Sequence, residues 1–375
     1  MQTEQKWKRN LAVSHLFRNF ALSISNIKER TVEKLLDERQ FDEFLSLVDG
    51  AQRILIVAHV NPDGDALGSS LALKHWLTRR GKEAVVVVPN QFPDFLQWMP
   101  GAQEVRVYMK HEEDVRPVVD AADLVIVADL NQSQRLRELE EAVLANPAPR
   151  IMIDHHLNPD SSFCQLIVSH PEMCATAEVL CHLLWQLGEA EQLTKEEATC
   201  LYAGMMCDTG AFTYASGRAV IYECISMLLA RGIDKDRIYR KVYYTASPSR
   251  LKLQGYMLYV KMKVDKERHV SIMSLTREER KLFKVKNGDT EGLVNIPLQI
   301  HKMRLSILLT EDTEQPGLVK VSLRSVDNFP CNRMAEEFFD GGGHLNASGG
   351  RLAGTMEEAL QAVERAITAY EPLLR

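Results

Sequence analysis

Ile54-Leu55-Ile56-Val57-Ala58-His59-Val60-Asn61-Pro62-Asp63-Gly64-Asp65 carries an apolar, β-branched run straight into imidazole, amide and carboxylate side chains. The pattern returns twice: Leu124-Val125-Ile126-Val127-Ala128 ends at Asp129, and Ile151-Met152-Ile153 ends at Asp154-His155-His156. Each reads as a strand of an open parallel sheet. The carboxyl ends of such strands line one crevice where ligands bind, so side chains far apart in sequence converge there. Mixed carboxylate and imidazole donors at that place suit divalent cations such as manganese.

The flanking sequence extends the alternation. Strands are expected to residue 60 and at 84–89, 104–108, 124–130 and 150–156, with helices near 66–80 and 133–145, and helices dominating 175–240. That order predicts an α/β domain with a mainly parallel sheet flanked by helices. Val32, Leu35, Leu36, Phe41, Phe44, Leu45 and Val48 have helical spacing, and residues 1–36 read as an N-terminal helical extension suited to packing or a dimer contact. A second pattern follows, with strands at 270–275, 305–309 and 319–323 and helices near 276–284, 290–301, 331–339 and 356–370. It reads as a smaller α+β domain. The expected boundaries are 37–243 for the first domain, 244–256 for a linker around Ser247-Pro248-Ser249, and 257–375 for the second.

At 375 residues, 45% of them hydrophobic, the chain has material for two cores. No apolar stretch is long enough to span a bilayer, and the charged start Met1-Gln2-Thr3-Glu4-Gln5-Lys6 is followed by no signal-peptide pattern, so a cytoplasmic protein is expected. Its seven cysteines include no Cys-x-x-Cys pair, which reads as reduced, buried thiols. A net charge of −6 disfavours long duplex nucleic acid as a partner. A short anionic substrate remains open, because cations and a few arginines dominate a local field whatever the overall balance.

Each candidate has a plainer alternative. Asn61-Pro62-Asp63-Gly64-Asp65 is also good turn chemistry, although His59 before it and Ala66-Leu67-Gly68-Ser69-Ser70 after it favour an anion-approaching helix start. Asp129 could cap the segment that follows it, and Asp208, in Met206-Cys207-Asp208-Thr209-Gly210, could mark a helix stop. Asp154-His155-His156 is harder to set aside, since an acid and two imidazoles at a buried strand end are costly without partners.

In order, His-x-Asn-x-Asp-x-Asp, strand-Asp, Asp-His-His and Asp-Thr-Gly resemble the four motifs of the DHH phosphoesterase superfamily. Gly341-Gly342-Gly343-His344-Leu345-Asn346-Ala347-Ser348-Gly349-Gly350 resembles the glycine-rich His motif of the DHH-associated domain in its RecJ-like branch. The resemblance covers roughly residues 37–370. The chain has no room for the oligonucleotide-binding fold added in RecJ exonucleases, and family II pyrophosphatases lack the Gly-Gly-Gly-His motif. The layout is similar to compact nanoRNase/pAp-phosphatase proteins, and stand-alone cyclic-di-AMP phosphodiesterases share it.

The resemblance implies an active site in the interdomain cleft and two divalent cations, Mn2+ before Mg2+ or Co2+. His59 and Asp63 would hold one cation, Asp65, His155 and Asp208 the other, and Asp129 would bridge them. Asp154 would orient an imidazole, His156 would contact the scissile phosphate, and His344 would reach the scissile or leaving phosphate. Gly342 and Gly343 would offer backbone to the substrate. Arg324, Arg304 and Arg351 are candidate phosphate clamps, each with a solvated surface role as the alternative. The implied enzyme is a manganese-dependent phosphodiesterase/phosphatase that hydrolyses short single-stranded oligonucleotides to nucleoside 5′-monophosphates and pAp to AMP and phosphate. A cyclic-di-AMP or pApA phosphodiesterase is the alternative, a non-catalytic nucleotide-binding module a more distant one, and a homodimer is expected.

Overall fold

A computed structural model describes residues 34–286 and 288–374. All but the last three residues of the N-terminal extension, Val32 included, lie outside the described residues. The chain divides into two units, Met1–Val242 and Tyr243–Arg375.

Six strands build the first unit: β1 (Arg53–Val57), β2 (Glu83–Val88), β3 (Arg106–Val107), β4 (Leu124–Ala128), β5 (Arg150–Asp154) and β6 (Leu166–Ser169). Every neighbouring pair is parallel, in the order β3-β2-β1-β4-β5-β6. The uninterrupted apolar runs are explained by burial on both faces. Ile54 and Ile56 of β1 join one core, and Leu55 and Val57 join the core on the other side.

The helices Gly64–Arg79, Thr176–Gln186 and Lys195–Asp208 belong to the larger core. The opposite face is covered by the helix Glu112–Asp120, which the sequence reading passed over, and by the 133–145 segment. That segment is not one helix. A 3-10 turn Ser133–Leu139 breaks at Arg137, with φ 51°, before a short helix Glu140–Ala145. At the edge of the described chain, the Gln186 side chain accepts from Leu35 N–H and Leu36 N–H at 2.9 and 3.1 Å and donates to the Leu36 carbonyl at 2.7 Å. The helix Glu38–Gly50 then begins at a capping box of Asp37 and Gln40.

The second unit holds β7 (Lys263–Asp265), β8 (Val270–Leu275), β9 (Leu305–Glu311), β10 (Leu318–Ser325), β11 (Gly342–His344) and β12 (Ala347–Ala353) in the order β11-β12-β10-β9-β8-β7. Only β8 and β9 pair in parallel. The helices Cys331–Phe338 and Met356–Leu374 pack on one face through Leu305, Ile307, Leu309, Val321 and Leu323. Within 244–256, expected as a linker, the helix Pro248–Tyr256 starts from the Ser247 side chain, and its Leu253 joins the core with Met273, Leu275 and Leu308. The glycine-rich 341–350 segment is the β11–β12 hairpin. A side chain at Gly341 or Gly350 would land on the carbonyl oxygen of Gly349 or Phe339, so glycine is what allows this strand packing. Among the described residues no helix is long and apolar enough to cross a membrane.

The helices Gly64–Arg79 and Lys195–Asp208 approach each other closely through glycine. At Gly68, a Cβ would lie 2.6 Å from the Cys200 carbonyl oxygen and 3.0 Å from Gly204 N, and backbone atoms of a buried helix cannot swing aside. Gly68→Ala is therefore expected to destabilise the protein by about 1–3 kcal/mol despite the better helix propensity of alanine, read as a lower thermal midpoint. Gly50→Ala, where nothing lies within 4 Å, is expected to stay within about 0.5 kcal/mol.

Candidate metal centre

β1 and β4 are adjacent strands whose chain connections leave in opposite directions, and β5 lies next to β4. The ends of these three strands therefore meet at the switch point of the sheet, where a crevice opens.

From β1, buried His59 donates its Nδ1–H to the Val60 carbonyl at 2.8 Å, which leaves the lone pair on Nε2. Nε2 lies 3.3 Å from Asp129 Oδ2 and 3.9 Å from Asp63 Oδ2. Asp63 caps the helix Gly64–Arg79, its Oδ1 accepting from Asp65 N–H and Ala66 N–H at 3.0 and 3.1 Å. The turn reading of 61–65 holds through Asp63 Oδ1, and Oδ2 is left facing His59.

Asp65 is buried and points to the start of the helix Thr176–Gln186. Its Oδ2 accepts from Thr176 N–H at 2.6 Å and its Oδ1 from Ala177 N–H at 3.0 Å, where the helix dipole favours negative charge. From β5, His155 donates Nδ1–H to the Met173 carbonyl at 3.2 Å. Its Nε2 stands 3.3 Å from Asp208 Oδ2, 3.7 Å from Asp129 Oδ1 and 3.9 Å from Asp65 Oδ2. Asp208 ends the helix Lys195–Asp208.

Asp129 lies between the two sets, with Oδ2 toward His59 and Oδ1 toward His155. Its backbone has φ 58°, a left-handed conformation that aspartate tolerates better than most residues, and its N–H donates to the Ile153 carbonyl at 3.0 Å. Thr176 Oγ1–H donates to Asp129 Oδ1 at 2.8 Å. Asp154 is wholly buried and grips one residue: Oδ1 accepts from His156 Nδ1–H and Oδ2 from His156 N–H, both at 2.8 Å.

Ligand atoms of His59, Asp63 and Asp129 lie within 4.8 Å of one another, as do those of Asp65, His155 and Asp208 and those of Asp129, Asp154 and His156. Burial opposes charge on Asp129, but the imidazoles of His59, His156 and His155 outweigh it and hold its carboxyl well below the usual carboxylate range. Burial pushes Asp65 well above that range, reinforced by repulsion from Asp129, Asp208 and Asp63. Asp208 is raised by burial and by the carboxylates of Asp63 and Asp129. A divalent cation fits this donor set. Oxygen and imidazole donors converge, both outer ring nitrogens are tied to backbone carbonyls, and mutual repulsion leaves a demand for positive charge.

The sequence reading missed Thr176, whose hydroxyl and N–H reach two site carboxylates, and Gly204. A Cβ at 204 would lie 2.8 Å from Asp65 Oδ1, so the helix carrying Asp208 must be bare where Asp65 passes. The small-residue helix opening Ala175-Thr176-Ala177 was the available signal for the first.

In the second unit, strand register sorts the remaining candidates. Arg324 of β10 is opposite Ala347 of β12, which is opposite His344 of β11, so Arg324 and His344 share a face with only an alanine between them. Gly342 and Arg351 lie on that face as well, Arg351 in an ion pair with Asp340 at 3.0 Å. Gly343 falls on the reverse face, and Arg304 Nη1 turns to the Leu373 carbonyl at 3.4 Å, so neither joins the group. Asn346 Nδ2 donates to Ser325 Oγ at 2.8 Å and to the Asp327 carbonyl at 3.1 Å, tying down the loop after β10.

A six-stranded parallel sheet with a carboxylate–imidazole crevice, followed by a separate mixed-sheet unit, defines the class. The chain belongs to the DHH phosphoesterase family: residues 53–205 match the DHH family, N-terminal domain, and residues 270–369 match the DHHA1 domain. It is similar to an exopolyphosphatase-related protein from Bacteroides fragilis of known crystal structure, with 49% identity, a TM-score of 0.87, and coverage of 92% of this chain and 99% of that one. The bifunctional oligoribonuclease and PAP phosphatase NrnA of Thermus thermophilus is 29% identical over 87% of this chain and 93% of its own. The cyclic-di-AMP phosphodiesterase GdpP of Bacillus subtilis is 24% identical over 86% of this chain, which spans 49% of that protein.

Asp208→Asn removes one of the mutually repelling carboxylates and leaves the helix end in place. In metal-free protein it is expected to raise the thermal midpoint by a few degrees, and to shrink the further rise that added Mn2+ produces. Melting curves in chelator and in Mn2+ check both parts. An unchanged metal-free midpoint together with a full Mn2+ shift would contradict the electrostatic account.

Proposed function

We propose that this chain is a two-metal phosphoesterase that hydrolyses short oligonucleotides to nucleoside 5′-monophosphates and pAp to AMP and phosphate. The observation that carries the reading is Asp129, whose two oxygens face two separate ligand sets, toward His59 at 3.3 Å and His155 at 3.7 Å. A binding module has no use for a carboxylate placed in this way. One cation would be held by His59, Asp63 and Asp129, the other by Asp65, His155, Asp208 and Asp129, with manganese preferred by the mixed donors. Bound there, a cation pair supplies Lewis-acid stabilisation of phosphoryl charge and a water of lowered pKa.

The protein's own groups divide the remaining work. Asp154, with both oxygens on His156, fixes that ring so that it can contact the scissile phosphate without a search for its rotamer. His344 and Arg324, on one sheet face with Ala347 between them, hold a substrate phosphate, the guanidinium taking its oxygens in pairs. The similarity to the oligoribonuclease and PAP phosphatase, which runs nearly the full length of both proteins, supports these substrates.

The alternative is a cyclic-di-AMP phosphodiesterase, supported by the likeness to GdpP. It is the weaker reading because a cyclic dinucleotide offers no terminal phosphate to an arginine clamp. Rates measured with Mn2+ on dinucleotide, five-mer, pAp, pApA, cyclic-di-AMP, pyrophosphate and short polyphosphate decide between them. With a net charge of −6, rates are expected to be highest for chains of roughly two to five nucleotides and to fall with length, duplex DNA being inert. A kcat/KM for cyclic-di-AMP well above those for pAp and dinucleotide would replace the first reading by the second.

Asp129→Asn is expected to abolish turnover and lower metal content with the fold intact. His344→Ala and Arg324→Ala are expected to leave Mn2+ binding unchanged and to reduce kcat/KM by roughly 30- to 1000-fold, the loss of about 2–4 kcal/mol of charged hydrogen bonding. Loss of bound metal in His344→Ala would move that histidine among the metal ligands.

A further inference from the structure

A carboxylate that serves two ligand sets must hold its plane, because rotation about its last bond turns both oxygens away from their partners at once. Three groups surround Asp129 closely. Oδ2 has His59 Nε2 at 3.3 Å, and Oδ1 has His156 Nδ1 at 3.6 Å and His155 Nε2 at 3.7 Å. These imidazoles are themselves candidate ligands or substrate contacts, so none of them can also be the fixed hydrogen-bond donor that sets the plane. The Thr176 hydroxyl is that donor, 2.8 Å from Oδ1.

Thr176 is fully buried and sits at the first position of the helix Thr176–Gln186, so its Oγ1 has no solvent-exposed alternative. Its backbone N–H donates to Asp65 Oδ2 at 2.6 Å. One residue therefore ties the carboxylate shared by both sets to a carboxylate of the second set. The helix start is braced in turn, since Glu178 Oε2 accepts from Cys174 N–H at 2.7 Å and Glu178 Oε1 pairs with Arg218 at 3.3 Å.

We propose that Thr176 is the positioning residue that makes the centre dinuclear: its hydroxyl sets the plane of Asp129 so that one oxygen faces each ligand set. The proposal rests on the two-metal reading of the site. Without the hydroxyl, the backbone contacts to Asp65 and the ligands of each set remain, and what is lost is the sharing.

The test is Mn2+ binding by isothermal titration, together with the electron paramagnetic resonance of the bound ions, on wild type, Thr176→Val, Thr176→Ser and Thr176→Ala. Wild type is expected to bind two Mn2+ with a spin-coupled signal. Thr176→Val, nearly isosteric, is expected to weaken the second binding event by roughly 10- to 100-fold and to lose the coupled signal, with kcat falling more than KM rises. Thr176→Ser is expected to restore both affinity and coupling, which a purely space-filling role would not do. Thr176→Ala, which adds no bulk, repeats the measurement if the valine variant does not fold. Two ions bound with wild-type affinity and full coupling in either variant lacking the hydroxyl would overturn the proposal. A wild type that binds a single ion would instead overturn the two-metal reading itself, a result visible before any variant is made.

Discussion

Four carboxylates brought to one crevice, Asp65 and Asp129 buried and Asp63 and Asp208 partly exposed, are the constraint around which the first unit is built. Asp63, Asp65, Asp129 and Asp208 repel one another, Asp65 and Asp129 where water solvates them poorly, and a cluster of that kind survives folding only if its buried charges are answered locally. The answers come from backbone more than from side chains. Asp63 is held by N–H groups of the helix it caps, Asp65 by N–H groups at the start of the helix Thr176–Gln186, and Asp129 by the Thr176 hydroxyl. Among the described residues no Lys or Arg forms an ion pair with any of the four, so the positive charge demanded by the cluster is left to be supplied by a ligand. That is the physical content of calling the crevice a metal centre.

Such an arrangement dictates the packing behind it. Asp65 and Asp208 sit on two helices that must approach closely for both carboxylates to reach His155, and the approach is made through Gly68 against the Cys200 carbonyl and Gly204 against Ala177 and Asp65. Larger residues at these positions would leave the core hydrophobic and well filled while separating the ligands. The helix pair is therefore specified by the site, and its small residues would otherwise be poor choices for a helix interior.

Much of this was legible in the chain because strand ends are punctuated. An apolar run that stops at a titratable residue marks both where a buried strand ends and which side chain faces the crevice, so β1, β4 and β5 and the residues His59, Asp129, Asp154 and His155 were readable together. Elements without that punctuation were lost. The helix Glu112–Asp120 carries Pro117 inside it, and β11 and β12 are so rich in glycine that they lack the side-chain pattern by which strands are recognised. Thr176 and Gly204 were invisible for a different reason. Their importance lies in which carboxylate passes them, and that depends on contacts between residues 47 and more than a hundred positions apart.

Strand packing limits what the second unit's glycines do. Triple glycine at 341–343 looks like a surface left open for a ligand, yet a Cβ at Gly341 or Gly343 would strike the backbone of the facing strand, while one at Gly342 would meet the Glu336 side chain at 3.9 Å. Their first role is to let β11 lie against β12. That pairing sets His344 two strands from Arg324 with Ala347 between them, a residue small enough to leave a gap bordered by an imidazole and a guanidinium. A larger residue at 347 would fill the gap without disturbing either charged group. The face that carries His344 and Arg324 thus lies against a hairpin with few large side chains, which leaves both groups room on it.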